Sequence, residues 1–519
     1  MSKIRNLLQT RRHFLFLSTI IFAATIVLAQ NNVASTPRSV EVLRAGASQV
    51  VITPPRGAAM AGYYLPRAAI GTHDDLYAKA IVFEKDGVKV ALVTCDVVSL
   101  PKELTDKARQ LIQQKLAIQP DHVMISATHS HTGPVILMQY SRYNLQGRMK
   151  RIAEDYTAAL PGKIANAVVL ANSRLQPAQV RSAIGQEDSL GFNRRYFMKD
   201  GTIGWNPPKR DPNIWKPAGP TDPSIPVVYV ETLDGKGIAS YVNFAVHQDT
   251  TGGMEFSADY AYTLARILAM AKGPNLISMF TIGCAGNINN FDVTRNDTQQ
   301  SYEEAARIGA ILAGDVLKTI QRAPLVPVSQ IRVSAKNIQL DLPHFTADEI
   351  AWAQRTQKTF GTPNAAPFLD LVRAAKILDV ESRRGKPFAA EVQVIALGDQ
   401  IAFVGFPGEM FTEFGLTLKE DSPFPITIPT ELANSDVGYI PNREAYPQGA
   451  YEVVTSRVLP GAGEMLMNSA LRQLFILFQQ LSQHKAVGHA SLPPNASLPP
   501  NLTETANGCK LTTFVDVPA

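Results

Sequence analysis

Three pairs of apolar runs, each reversing at a two-residue turn of aspartate and glycine, limit most what this chain can become. Runs 78–83 and 88–94 turn at Asp86-Gly87, 225–233 and 238–247 at Asp234-Gly235, and 391–397 and 400–406 at Gly398-Asp399. Such dipeptides supply the positive φ that a tight hairpin requires. Helical spacing interleaves with them, as at 102–116, where Leu104, Ala108, Leu111 and Ile112 share one face, and again at 258–272 and 302–322. Strands alternating with helices predict an α/β fold of mixed β-sheets flanked by helices. Further helices are expected at 347–360, 367–377 and 465–483, and strands at 50–52, 275–282 and 331–342. A helix over 150–173 is expected to kink or divide at Pro161. The segment 192–224, with Trp205, Trp215 and many prolines and glycines, reads as a long ordered loop.

The ends of the chain are different in kind. Lys3, Arg5, Arg11 and Arg12 precede an apolar run over 14–29, and Val27-Leu28-Ala29 offers small residues for cleavage before Gln30. This predicts a signal peptide over 1–29, and hence a periplasmic or extracellular address; an uncleaved leader serving as a membrane anchor is the alternative. Arg11-Arg12 within Thr10-Arg11-Arg12-His13-Phe14-Leu15 also resembles a twin-arginine signal. Formal charge is +5 for the whole chain, and most of it sits in the leader, so nothing points to nucleic acid. A linker follows over 30–44. The low-complexity, Pro-rich tail over 486–519 repeats Ala-Ser-Leu-Pro-Pro, and no other repeat is evident. Cys95, Cys284 and Cys509 form no CxxC pattern, and one bridge among them is allowed.

Chemistry concentrates at strand ends. The apolar run Val123-Met124-Ile125 leads into Ser126-Ala127-Thr128-His129-Ser130-His131-Thr132-Gly133-Pro134. If the extended geometry persists, His129 and His131 point to one side of the chain. Paired imidazoles at the mouth of a buried strand suit a metal, zinc above all, although a capping and a solvated histidine would read the same way. Ala245-Val246-His247 and Phe406-Pro407-Gly408-Glu409 close two further strands, and Val437-Gly438-Tyr439 places a tyrosine in a loop. Loops at strand ends are where α/β proteins hold their reactive groups. His129, His247 and Glu409 would make a three-ligand zinc site with an open position. Alone, His247 would be a core histidine, Glu409 a first-turn acid, and Cys284 a small buried thiol. His73 and Asp96 could line such a site or cap turns.

The stretch Ala-Thr-His-Ser-His-Thr-Gly-Pro resembles the Thr-His-Thr-His-Ser-Gly-Pro motif of the neutral (non-lysosomal) ceramidase family, zinc amidohydrolases that cleave N-acylsphingosines. Phe244-Ala245-Val246-His247, Pro407-Gly408-Glu409 and Gly438-Tyr439 with Tyr451 resemble its later motifs, in the same order. The resemblance covers roughly 45–485 and implies one large catalytic domain there. It implies Zn2+ as cofactor, held by His129, His247, Glu409 and Tyr439. It also implies substrate and transition-state roles for His131, Arg194 and Tyr451. The partner implied is a small-molecule or lipid substrate, with transient contact at a membrane surface. Two departures stand out: Asn289, in Gly286-Asn287-Ile288-Asn289-Asn290, occupies the place of the family's signature serine, and its C-terminal immunoglobulin-like domain is expected to be absent, because the low-complexity tail is too short for such a sandwich. Asparagine cannot be a nucleophile but can donate to an oxyanion. The expected activity is hydrolysis of a ceramide-like N-acyl lipid by a zinc-activated water. A zinc esterase or amidase on a non-sphingoid substrate, and a non-catalytic lipid or glycan binder, are the alternatives.

Overall fold

The structure, a computed structural model, describes residues 42–137, 143 and 145–489, with side chains through 482. The leader with its paired arginines, most of the linker, and nearly all of the expected tail lie outside the described residues. The first strands, β1 (Arg44–Val51), β2 (Tyr77–Lys85) and β3 (Val88–Cys95), pair antiparallel in sequence order. A parallel neighbour needs a crossover, and α1 (Lys102–Leu116) supplies it, returning the chain to lay β4 (Val123–Ala127) beside β3 with Ala127 against Cys95. Helix α2 (Gly147–Ser173) leads to β5 (Gln176–Gln186), and β6 (Ser224–Thr232) and β7 (Gly237–Phe244) follow. Helix α3 (Tyr260–Lys272) then crosses over to β8 (Ile277–Ile282), parallel to β7. Helix α4 (Tyr302–Arg322) and the short β9 (Leu325–Val326) complete a nine-stranded sheet of order β8-β7-β6-β5-β1-β2-β3-β4, with β9 on β5.

A second, four-stranded sheet begins with β10 (Ile331–Leu340). Helices α5 (Ala347–Gln357) and α6 (Phe368–Ser382) intervene before β11 (Phe388–Leu397) and β12 (Ile401–Gly405), and α7 (Thr412–Asp421) crosses over to β13 (Ile426–Thr430), parallel to β12. The short α8 (Tyr451–Thr455) and the long α9 (Ala462–His489) end the described chain.

Side-chain alternation explains the layering. On β2, Ile81 and Phe83 face a core shared with Ile395, Phe403 and Ile428 of the second sheet. Ala80 and Val82 face the other way, onto Ile112 of α1 and Ile164 of α2. The second sheet likewise turns Val392, Val394 and Val404 to Leu466 and Leu474 of α9. Both faces of both sheets are therefore buried, giving four layers, helix–sheet–sheet–helix. Arg109 of α1 ties the layers together: its guanidinium donates to Glu391 at 2.8 Å and to the Val123 carbonyl, all of it buried.

One topological unit occurs three times. Hairpin, helix and parallel strand recur as β2-β3-α1-β4, β6-β7-α3-β8 and β11-β12-α7-β13. No sequence repeat marks it, because each copy keeps only the apolar pattern. Two expectations need correcting. Helix α2 runs unbroken through Pro161, since burial of Leu160, Ile164 and Val168 along it outweighs the ~3 kcal/mol an interior proline costs. The segment expected as a loop over 192–224 holds a small antiparallel sheet, Arg195–Met198 between Ile203–Trp205 and Ile214–Pro217.

Candidate metal centre

One strand end from each of the three units comes to the same place. His129 lies just past β4, His247 just past β7, and Glu409 just past β12. His129 has φ of 70°, so the extended geometry does not persist through it. The chain turns there because its amide is drawn to the Val97 carbonyl at 3.0 Å, and the His131 amide then binds the Gln248 carbonyl at 2.9 Å, next to His247. The turn brings the two imidazoles together by folding back, with ring centroids 4.7 Å apart. Gly62 makes this possible: a Cβ there would come within 2.3 Å of the His131 carbonyl. Glu409 and Tyr439 are direct partners in a short parallel pairing of Glu409–Met410 with Tyr439–Ile440, which sets their side chains side by side.

The donor chemistry of this group fits a cation. His129 Nδ1 lies 2.8 Å from the Val98 carbonyl and His247 Nδ1 2.9 Å from the Ala285 carbonyl. A carbonyl only accepts, so both Nδ1 atoms carry hydrogen, and in the neutral rings both Nε2 atoms turn a lone pair inward. Glu409 Oε2 sits 3.4 Å from His129 Nε2 and 3.3 Å from His247 Nε2. His131 Nε2 is 3.2 Å from His129 Nε2, and the Tyr439 hydroxyl is 3.4 Å from His247 Nε2. Acceptors outnumber donors in a buried space, an arrangement that a metal ion stabilises. Although burial works against it, Glu409 stays ionised well below the usual carboxylate range because His129 and His247 face it. Burial also opposes charge on His129, yet Glu409 holds its imidazolium above the ordinary value, while burial and then Arg194 depress His247 to about 3. The cluster attracts one positive charge and refuses a second.

Around the cluster lies a chamber of about 170 Å³, whose walls include His129, His131, Glu409, Tyr439 and Tyr451. Tyr451 is stacked at 4.4 Å on Trp205, and its hydroxyl lies 3.3 Å from that of Tyr64. His131 Nδ1 is 3.7 Å from Asp249, which accepts from the Tyr63 hydroxyl at 2.5 Å. Arg194 is buried beneath the chamber. It donates to Glu452 at 2.7 Å and to the Gly286 carbonyl at 2.7 Å, and its guanidinium carbon is 5.4 Å from the Tyr439 ring centre. Its visible work is therefore to position Tyr439. Asn289 is turned elsewhere, its amide donating to Asn206 at 2.9 Å and its oxygen accepting from Phe291 N, and it does not line the chamber.

The remaining candidates are structural. Burial pushes the Cys284 thiol well up, and it belongs to the core beneath the second sheet. Cys95 is likewise free and buried. Asp96 accepts from Tyr77 N at 2.9 Å, and His73 pairs with Asp74 and stacks on Tyr302. Sequence reasoning missed Asp249, Tyr63 and Glu452. Only Asp249, two residues past His247, carried any positional signal.

Residues 44–251 match the profile of the neutral/alkaline non-lysosomal ceramidase N-terminal domain, a stretch that includes His129, His131 and His247. Over that stretch the chain is similar to the neutral ceramidases. Among curated ceramidases it is 23% identical over 483 residues to neutral ceramidase B of Dictyostelium discoideum, covering 75% of this chain and 66% of that protein. It is 25% identical over 193 residues to neutral ceramidase A of the same organism, covering 36% of this chain and 26% of that one. The chain thus spans at most about two thirds of these relatives. Its fold matches the crystal structure of neutral ceramidase from Pseudomonas aeruginosa with a TM-score of 0.66 at 16% identity, covering 85% of this chain and 75% of that one. A ceramidase complexed with C2 gives a TM-score of 0.64 at 16% identity, covering 89% and 77%. The chain thus has the mixed α/β frame of those structures, and a histidine group able to hold a metal.

Proposed function

We propose that this chain is an exported, zinc-dependent amidohydrolase that cleaves the amide of an N-acyl lipid. The observation that carries the reading is the convergence of His129 Nε2 and His247 Nε2 on Glu409 Oε2, beside a chamber that His129 and Glu409 line, in a chain similar to the neutral ceramidases. His129, His247, Glu409 and Tyr439 would hold the zinc, which when bound supplies Lewis acidity to a water and to the substrate carbonyl. The protein's own groups account for the rest. His131, between His129 and Asp249, is placed to take a proton from the attacking water and return it to the leaving amine. Tyr451 offers its hydroxyl to the developing oxyanion, and its stack on Trp205 holds the ring in place. Arg194, fixed by buried Glu452, keeps Tyr439 in register with Glu409. Asn289 supports a turn in this scheme, and no serine step is required.

Export rests on the leader over 1–29, and among the described residues no helix is long and apolar enough to cross a membrane. The test is metal analysis of the secreted or periplasmic protein, combined with turnover of N-acylsphingosines, other N-acyl lipids and N-acyl amino compounds. One zinc per chain, a new N-terminus near Gln30, and metal-dependent amide cleavage are expected. A gently purified chain with no stoichiometric metal and no stabilisation on adding zinc would refute the reading. Metal without turnover, but with lipid or glycan binding, would instead make it a non-catalytic descendant.

A further inference from the structure

One wall of the chamber is a helix, and a single charge on that wall has no counterpart. Helix α6 turns Val372, Ala375, Lys376 and Asp379 to the cavity, the i, i+3, i+4, i+7 set of one helical face. Asp379 is engaged by Arg457 at 2.6 Å, and Arg457 also reaches Asp436 at 3.6 Å. Glu349, the carboxylate whose charge reaches Lys376, is itself paired with Arg373 at 3.1 Å. Among the described residues no hydrogen bond or ion pair reaches Lys376, whose Nζ has only the Phe345 ring, 6.0 Å away. Burial, and then the like charge of Arg373, draw its pKa down to about 8. A half-buried ammonium beside another cation is stabilised by any anion that enters the chamber. His129 and Glu409 line the same space, and its volume is about 170 Å³. An anion meeting Lys376 would therefore share this space with an amide at His129 and Glu409.

We propose that Lys376 is a specificity determinant that binds a carboxylate of the substrate, so that the preferred substrates are N-acyl compounds with a carboxylate close to the amide. The proposal rests on the amide-hydrolase reading above and names its substrate class. Its chemistry is a charge-assisted hydrogen bond in a desolvated place, worth about tenfold or more in affinity.

The probes are non-hydrolysable ketone isosteres of N-lauroylglycine and of its uncharged carboxamide, in which a methylene replaces the amide NH. Calorimetry on the full, metal-loaded protein should find the acid bound about tenfold more tightly than the carboxamide. Lys376→Met should erase that difference without changing the affinity for the carboxamide, and Lys376→Arg should restore most of it. Equal binding of the two probes by the unaltered protein, or no binding of either, would overturn the proposal. So would a preference that survives Lys376→Met, because the carboxylate would then be held by the metal. An unchanged melting temperature for Lys376→Met and Lys376→Gln guards against a folding defect. Turnover of N-lauroylglycine, its carboxamide and N-acylsphingosine is scored separately. Absence of any turnover alongside a Lys376-dependent preference would sink the hydrolase reading and uphold the carboxylate site.

Discussion

The chamber has two unlike walls. One is made of strand ends, where His129, Glu409 and Tyr439, with His247 behind them, sit on backbone held by sheet pairing and by hydrogen bonds such as His129 Nδ1 to Val98. The other is made of inserted pieces: α6 with Lys376, and α8 with Tyr451, which the Trp205 hairpin backs by stacking. The first wall is built by a unit repeated three times, and its geometry follows from the frame. The second wall is built by segments between the frame elements, fixed by aromatic stacking and by ion pairs such as Arg457 with Asp379. Rigid elements hold reactive atoms and variable inserts choose what reaches them. Chemistry and specificity are therefore separable here, and substitutions on the two walls should fail in different ways.

The largest effect belongs to the strand-end wall. His129→Ala, His247→Ala and Glu409→Ala should each strip the metal below stoichiometric level. The loss of several kcal/mol of charge stabilisation would lower amide turnover on the order of 10³-fold. Metal analysis and turnover on the same preparation check this. Retention of full metal by all three variants would break the comparison at its root.

A smaller and sharper effect is expected at His131, which touches the cluster from between His129 and Asp249. His131→Ala should keep the metal and lose about 10²-fold in turnover, the usual worth of general acid–base help. Loss of metal together with turnover would move His131 into the ligand set, as its 3.2 Å approach to His129 would permit.

The difference between the walls also explains what could be read from the sequence. The hairpin turns at Asp86-Gly87 and Asp234-Gly235 gave the strands away, because a two-residue turn fixes what flanks it. His129, His247 and Glu409 were legible because each follows an apolar run that has to stop. The threefold repetition was not legible, since strand and helix patterns tolerate almost any apolar residue. Neither was the sheet within 192–224, whose short strands lack a period long enough to detect. Glu452 was invisible for another reason: it is wholly buried between Arg194 and Arg195, partners more than 250 positions away. Only the fold brings such a triad together. The turn at His129 was misjudged because its cause, the Val97 carbonyl, lies on another strand end.

On the inserted wall the expected losses are smaller and fall on substrate handling. Tyr451→Phe removes the hydroxyl and keeps the stack on Trp205, so turnover should fall between about tenfold and 10²-fold with metal unchanged. Trp205→Ala should keep the metal as well, and raise KM more than it lowers kcat, because it loosens the wall that carries Tyr451. Equal damage to metal content from either change would show that the two walls are not separable.

The smallest effect is expected where a nucleophile sits in the frame but faces neither wall. Cys284 follows β8 in a glycine-rich turn, a position suited to the reactive sulfur of a thiol hydrolase. Its surroundings deny that role: it is 1% exposed, packed in the core of the second sheet, and Cβ of any residue at Gly415 would meet its own Cβ at 2.9 Å. Burial raises its pKa well above the ordinary thiol value, with Glu431 adding to the rise. The thiolate, which is the reactive form, is therefore scarce near pH 7 and becomes populated only as pH climbs well past the usual range. Native protein should resist iodoacetamide at pH 8, whereas unfolded protein should react at once. Cys284→Ala should keep metal and turnover within about twofold and cost roughly 1 kcal/mol of stability from the trimmed sulfur. Rapid alkylation of the native thiol, an acyl group trapped on it, or loss of turnover in Cys284→Ala with metal still bound would move the chemistry from the strand-end histidines to this turn.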